Sequence, residues 1–399
     1  MQDHTNETVD SPRKGQRKKS LTILLVVILI AAIGGGFYYT HYVVGHQETE
    51  DAYVKGNLVQ ITPEISGTVT QIVAEDGDYV KQGQVLVRLD NADAKLAFEN
   101  ATANLAQTVR KVRGLFNNVQ QAEAVVAERK IALNKAKTDF DRRKNMVAVG
   151  GLSQEELSHA QDMMNSAEKA LAVADQQLKS QQAMIHNTTV ETHPLVKTAI
   201  AKVKQTYLEK QRTQLVAPVS GYIARRNVQV GQRINQSSIL MAVVPLESVW
   251  VDANFKETQL TDMRIGQPVI LTSDLYGDDV VFHGTIESLG IGTGSAFSIL
   301  PAQNATGNWI KVVQRLPVRI QFDKQDVQKH PLRIGLSMMV NVDVSDTSGQ
   351  LLSQSSPKTP RYQTNVYNQT LKGVEPLIDQ IITENDIATK QFIAKSVSR

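Results

Sequence analysis

Pro63-Glu64-Ile65-Ser66-Gly67 and Ala217-Pro218-Val219-Ser220-Gly221 decide the fold of this chain, because each opens the same spacing of residues. After Gly67 the next aligned glycine is Gly77, followed by Val80, Val85 and Leu86. After Gly221 it is Gly231, followed by Ile234, Ile239 and Leu240. The offsets are identical, so the two stretches read as halves of one small β-domain. A long helical pattern separates them, and a domain cut open by such an insertion is a spacer.

The insertion carries a seven-residue apolar repeat: Phe98, Leu105, Val112, Val119, Val126, Leu133, Phe140 and Val147. Three residues further along runs a second column of mostly small or long-stemmed residues, including Ala101, Ala122, Ala136 and Arg143. After Gly150-Gly151 the repeat resumes as Leu157, Met164, Leu171, Leu178 and Ile185, with Ala160, Ala167 and Ala174 beside it. A repeat held this long keeps one stripe on a partner helix, which predicts an antiparallel coiled-coil hairpin. The glycine pair supplies the turn, and Ser153 with Glu156 forms a capping box for the returning arm. About 50 residues per arm gives roughly 75 Å of reach. The return is expected to break over His186-Asn187-Thr188-Thr189-Val190-Glu191-Thr192-His193-Pro194, where a polar, β-branched stretch meets a proline.

Upstream, residues 21–44 contain no Asp, Glu, Lys or Arg. As a helix they extend about 36 Å, enough to span a bilayer with some tilt. Leu21, Leu25, Ile28 and Ile33 would face lipid, and Tyr38 and Tyr39 would sit in an interfacial belt. Arg13, Lys14, Arg17, Lys18 and Lys19 precede the run and Glu48, Glu50 and Asp51 follow it, which predicts a cytoplasmic N-terminus. The apolar run exceeds a signal-peptide core and no small-residue cleavage pattern follows it, so an uncleaved anchor is expected.

Downstream, short alternating segments punctuated by glycine predict an antiparallel β-barrel: Val249 to Asn254, Val269 to Ser273, Val280 to Ile286, Ile310 to Phe322 and Met338 to Val344. Tyr53 to Ile61 is expected to add one more strand. From about 346 the chain is rich in Ser, Thr, Gln and Asn and is expected to be disordered to about 370. A weakly amphipathic helix then runs through Leu377, Ile378, Ile381, Ile382, Ile387, Phe392 and Ile393, either docked or loose. The expected fold is α+β and elongated. Its parts are a basic tail (1–20), an anchor (21–44), a linker with the first barrel strand (45–60), a split β-domain (61–91 with 215–245), the hairpin (92–214), the barrel (246–345) and a polar tail (346–399).

Chemistry is hard to find. The chain has no cysteine, which excludes disulfides, thiolate zinc sites, a cysteine nucleophile and a lipoprotein anchor. A net charge of +3 is too small to argue for nucleic acid. The eight histidines form no His-Glu-x-x-His, and Gly-x-Ser-x-Gly, phosphate-loop and EF-hand patterns are absent. His186, Glu191 and His193 lack a fourth ligand for a metal. Gly290 to Phe297 lacks the lysine and the strand-to-helix setting of a phosphate loop. No enzymatic activity, cofactor or metal is expected.

At this point the residues resemble a known family. The anchor, the split half-domains, the hairpin and the barrel together look like a periplasmic adaptor, or membrane fusion protein, of the hemolysin-D type. Glu50-Asp51-Ala52-Tyr53-Val54, Val249 to Thr258, Arg264-Ile265-Gly266-Gln267-Pro268, Gly292 to Phe297 and the run from Leu300 to Pro317 resemble its EmrA-like multidrug branch. The resemblance covers about residues 45–345. It implies a tripartite efflux pump of a Gram-negative cell, in which a ring of adaptors joins an inner-membrane major-facilitator transporter to a TolC-like outer-membrane channel. The half-domains resemble lipoyl carrier domains. Here the coiled coil replaces the hairpin that would bear a carrier lysine, so none is expected. The family's channel-docking pattern maps onto Arg142, Met146 and Ser153 at the hairpin tip, with Met in place of Leu. Two alternatives remain: an adaptor for type I protein secretion with an ABC transporter, and a tether that only spaces two envelope layers.

Overall fold

The computed structural model describes residues 14–38, 45–297 and 311–386. In chain order the elements are α1 (Lys14–Tyr38), β1 (His46–Lys55), β2 (Val59–Ile61), β3 (Gly67–Ile72), β4 (Tyr79–Val80), β5 (Val85–Leu89), α2 (Ala92–Ala148), α3 (Gln154–Ile185), α4 (Pro194–Gln211), β6 (Gln214–Val216), β7 (Gly221–Ala224), β8 (Arg233–Ile234), β9 (Met241–Val244), β10 (Trp250–Lys256), β11 (Pro268–Ser273), β12 (Gly277–Leu289), β13 (Arg315–Phe322), α5 (Lys324–Lys329), β14 (Ser337–Asp343) and α6 (Glu375–Asn385). They fall into two units. One comprises residues 1–59, 219–224 and 242–363, the other 60–218, 225–241 and 364–399.

The first unit is built on a closed antiparallel barrel of order β1-β10-β13-β12-β11-β14. Alternate residues of each strand point inward, as the two-residue side-chain period requires. Val251, Ala253 and Phe255 of β10 meet Val318, Ile320 and Phe322 of β13 and Met338, Val340 and Val342 of β14 in one buried cluster. The extra strand lies earlier than the sequence suggests. β1 starts at His46, pairs with both β10 and β14, and ends at Lys55, while Val59–Ile61 is a separate short strand. His46-Gln47-Glu48-Thr49-Glu50-Asp51 has no strand-forming composition, so its conformation comes from its two neighbours. β13 likewise begins only at Arg315, and Ile310 lies outside the described residues. β7 and β9 pair antiparallel in this unit, with Tyr222 opposite Val244.

In α1 the described side chains are strongly exposed, Leu21, Leu25, Ile28 and Ile33 by 64%, 61%, 59% and 65%. Among the described residues no helix is long and apolar enough to cross a membrane. The expected span runs on through 39–44, so Tyr39 and the end of the apolar run lie outside the described residues, and Tyr38 is the last residue of the helix.

The second unit holds a sheet of order β6-β5-β3-β8 together with α2, α3, α4 and α6. Two of its strands precede the hairpin and two follow it. Gly67 pairs with Ile234 and Val85 with Val216, so strands from before and after the insertion join in one sheet. Val69, Val80, Leu86, Val87, Leu89, Leu215 and Ile234 are buried.

α2 is one helix of 57 residues, about 85 Å long. Its partner is interrupted: α3 ends at Ile185 and α4 starts at Pro194. At the joint His193 is buried. Its Nδ1 accepts the Leu195 N–H at 3.3 Å, capping α4, and its Nε2 lies 3.2 Å from the Met184 carbonyl oxygen. Both ring nitrogens are therefore engaged with backbone. Toward the tip the larger residues of the heptad columns of α2 and α3 are half-buried, as a two-helix seam allows, and only small residues such as Ala160 and Ala174 are buried. At the base Leu105, Val109 and Val112 are fully buried, because Val196, Ala199 and Val203 of α4 and Val374, Ile378 and Ile382 at α6 close over them.

Among the described residues the C-terminal segment forms α6, and α6 is docked, while Ile387, Phe392 and Ile393 lie outside the described residues. Arg113 Nε donates to the Asp386 carboxylate at 2.7 Å, and Lys204 Nζ to Glu375 at 2.7 Å. The tail expected to be disordered also makes defined contacts: the Ile265 N–H donates to the Gln350 carbonyl at 3.0 Å, and the Thr364 hydroxyl to the Pro218 carbonyl at 2.7 Å.

Candidate docking site at the hairpin tip

The tip is made by two helix ends that satisfy their own backbone. α2 stops in a Schellman arrangement, in which the Gly151 N–H reaches the Met146 carbonyl at 2.9 Å and the Gly150 N–H reaches that of Val147 at 3.0 Å. Gly150 has φ +80°, a conformation that costs a residue with a Cβ. Three residues on, Ser153 begins α3. Its Oγ accepts the Glu156 N–H at 3.2 Å while its own N–H donates to the Glu156 carboxylate at 3.0 Å, the reciprocal capping box read from the sequence. The Ser153 hydroxyl also donates to that carboxylate at 2.9 Å. The backbone hydrogen bond from Ser153, followed by the one from its side chain, holds the Glu156 carboxyl below the ordinary glutamate range.

On the last turns of α2, Arg142 donates to the Asp139 carboxylate, and Arg143 Nε lies 2.9 Å from the other oxygen. The Arg142 hydrogen bond, with the charges of both guanidiniums, holds Asp139 below its ordinary value. Arg142 remains 70% exposed at its side chain, so the pair aims the guanidinium without burying it. Met146 is four residues further along, on the same face of the helix, and is 44% exposed.

The three residues singled out from the sequence therefore divide. Arg142 and Met146 form one exposed cationic and apolar face. Ser153 lies beyond the turn with its hydroxyl committed to the cap. Two further residues complete the tip: Asp139, which orients both arginines, and Val149, which is 82% exposed. Val149 falls outside the heptad columns and directly precedes the glycine pair, a signal available in the sequence. Among the described residues no cluster of three or more side chains is arranged to hold a metal.

Comparison with known proteins follows this division into hairpin and barrel. The EMRA alpha-helical hairpin domain matches residues 92–213, and the AAEA-like beta-barrel domain matches residues 248–343. The multidrug export protein EmrA of Escherichia coli K12 is 48% identical over 339 residues, 85% of this chain and 87% of that protein. EmrA of Haemophilus influenzae is 44% identical over 378 residues, covering 95% of this chain and 97% of its own length. The fatty acid resistance protein FarA of Neisseria gonorrhoeae is 44% identical over 381 residues, covering 95% and 97%. Matched in its hairpin, in its barrel and along most of its length, the chain belongs to the EmrA family of membrane fusion proteins.

Proposed function

We propose that this chain is the periplasmic adaptor of a tripartite efflux pump, anchored in the inner membrane through residues 21–44 with its N-terminus in the cytoplasm. Several copies form a ring that joins a major-facilitator transporter to a TolC-like outer-membrane channel. The role is conductive and structural, with no catalytic step. The observation that carries the reading is the hairpin itself: a 57-residue helix, inserted into a small β-domain, ends in a tip that presents Arg142, Met146 and Val149 to solvent. Those side chains make the docking face for the channel, while Ser153 acts on docking by holding the turn. The names of the relatives, multidrug export and fatty acid resistance, support a hydrophobic or amphipathic cargo.

Co-purification from detergent-solubilised membranes tests the assignment. Recovery of a major-facilitator transporter together with an outer-membrane channel is expected. An ABC transporter in its place would overturn the reading in favour of protein secretion, and recovery of no transporter would reduce the chain to a tether.

A further inference from the structure

The connection between β12 and β13 carries exposed apolar side chains on both limbs. On the outgoing limb Ile291 is 91% and Phe297 74% exposed, and on the returning limb Val312 is 64% and Val313 46% exposed. Residues 298–310 between them lie outside the described residues. The limbs are tied to each other and to the rim: the Gly290 N–H donates to the Pro317 carbonyl at 2.8 Å, the Ser295 hydroxyl to Gln314 Oε1 at 3.0 Å, and the Glu257 N–H to the Gln314 carbonyl at 3.0 Å. A Cβ on Gly292 would lie 2.6 Å from the Phe297 ring, so this glycine makes the room in which the ring rests. Single exposed apolar residues are ordinary, but four on two tethered limbs mark a contact surface.

Strand register places that surface. β13 starts at Arg315, opposite Lys256 at the end of β10. β10 runs antiparallel to β1, so its end lies beside the start of β1, where Gln259 Nε2 donates to the Glu48 carbonyl at 3.0 Å and Arg315 pairs with Asp51 at 2.7 Å. The loop and His46 therefore share one rim of the barrel. His46 follows the uncharged run 21–44 almost directly. The described limb residues 290–297 and 311–314 contain no Asp or Glu and a single Lys, Lys311, while the rim beside them carries Glu48, Glu50, Asp51 and Glu257, of which Asp51 is paired with Arg315.

We propose that these two limbs rest in the periplasmic leaflet of the inner membrane, with Ile291, Phe297, Val312 and Val313 in the headgroup–acyl boundary and Lys311 reaching back to the headgroups. The proposal rests on the anchor reading of residues 21–44. That anchor holds the rim at high effective concentration over lipid whether or not a protein partner is present, and an apolar surface with a lone lysine suits the interface. A second contact beside the single helix fixes how the barrel stands on the bilayer.

The chain has no cysteine, so Phe297→Cys in the full-length protein gives a unique site for an environment-sensitive fluorophore. Ile33→Cys and Val149→Cys serve as anchor and hairpin-tip comparators. Each is reconstituted alone into phosphatidylethanolamine–phosphatidylglycerol vesicles and quenched with an acyl-chain nitroxide lipid or with aqueous iodide. The label at 297 is expected to lose most of its emission to the nitroxide lipid and to be shielded from iodide, with the label at 149 behaving oppositely. Val313→Cys must repeat the result, which guards against a local effect of the first substitution. A label at 297 that responds only to iodide while that at 33 stays in lipid overturns the loop contact and leaves the anchor standing. Shielding from both quenchers that grows with protein-to-lipid ratio assigns the surface to a second copy and overturns it too. Lipid quenching at neither 297 nor 33 overturns the anchor reading and the proposal with it.

Discussion

Ile378→Ala tests whether α6 is held by docking. Ile378 is 2% exposed and belongs to the cluster of Leu105, Val109, Val112, Val196 and Val203. Truncating a buried isoleucine to alanine costs about 2–5 kcal/mol, the transfer free energy of the lost atoms plus the cavity left behind. α6 has 11 residues, below the roughly 12–15 at which an isolated helix is even marginal in water. Its helical state therefore depends on the face it covers, and the cost should appear as local undocking rather than as loss of the whole fold. At the lower bound of about 2 kcal/mol the opening equilibrium rises about 30-fold. Hydrogen–deuterium exchange of the full chain reads this directly. Amides of Ile378–Asn385 should exchange about 30-fold faster or more, those of α2 near Val109 and Val112 should follow by less, and those of β10 and β13 should not change. Unaltered exchange in α6 would refute the reasoning. So would equal acceleration in the barrel, which would mean that α6 opens only with global unfolding.

Other substitutions and conditions probe the tip. Gly150→Ala places a Cβ at φ +80° and should cost about 1–2 kcal/mol, read as faster exchange in residues 146–156 and a lower midpoint for hairpin melting. Glu156 is hydrogen-bonded as a carboxylate, and these bonds hold its pKa below the ordinary glutamate value. The box thus contributes its full stabilisation above that value and loses it as pH falls through the lower folded pKa, and Glu156→Gln should keep the cap while abolishing this pH dependence of tip exchange. Ser153→Ala should cost about 0.5–2 kcal/mol of helix stability, whereas Ser153→Asp, which also caps, should restore both tip order and drug resistance; failure of Asp to restore resistance in an ordered tip would mean that the serine touches the partner. Met146→Asp should leave folding intact, because the side chain is exposed, yet weaken recovery of the outer-membrane channel about 30-fold if Met146 contributes about 2 kcal/mol to docking, with recovery of the transporter unchanged.

Much of the second unit is legible before any coordinates. The heptad columns from Phe98 and Leu157 are local periodicities, and the Ser153–Glu156 box and the Gly150-Gly151 turn are decided by residues within one or two helical turns of each other. The break between Ile185 and Pro194 is local as well, since proline and the residue before it restrict their own backbone. His193 shows where that legibility stops. Its spacing from His186 and Glu191 invites a metal reading, while its actual work is to cap α4 and contact the Met184 carbonyl, which depends on the path of a chain that has just turned.

The sequence by itself determined what repetition and near neighbours can specify: matching half-domains, a coiled-coil insertion with its turn and cap, an uncharged run at the N-terminus and an alternating barrel. Only the tertiary structure decided which polar stretch becomes β1, how Gly67 meets Ile234 across the insertion, why Leu105 to Val112 are fully buried where the seam beyond is not, and which rim of the barrel carries both His46 and the exposed limbs of the β12–β13 loop. The physical reason is common to all of these. Each depends on partners far away in the chain, whose pairing is stabilised by shared burial and closed ladders rather than by any preference of the residues themselves.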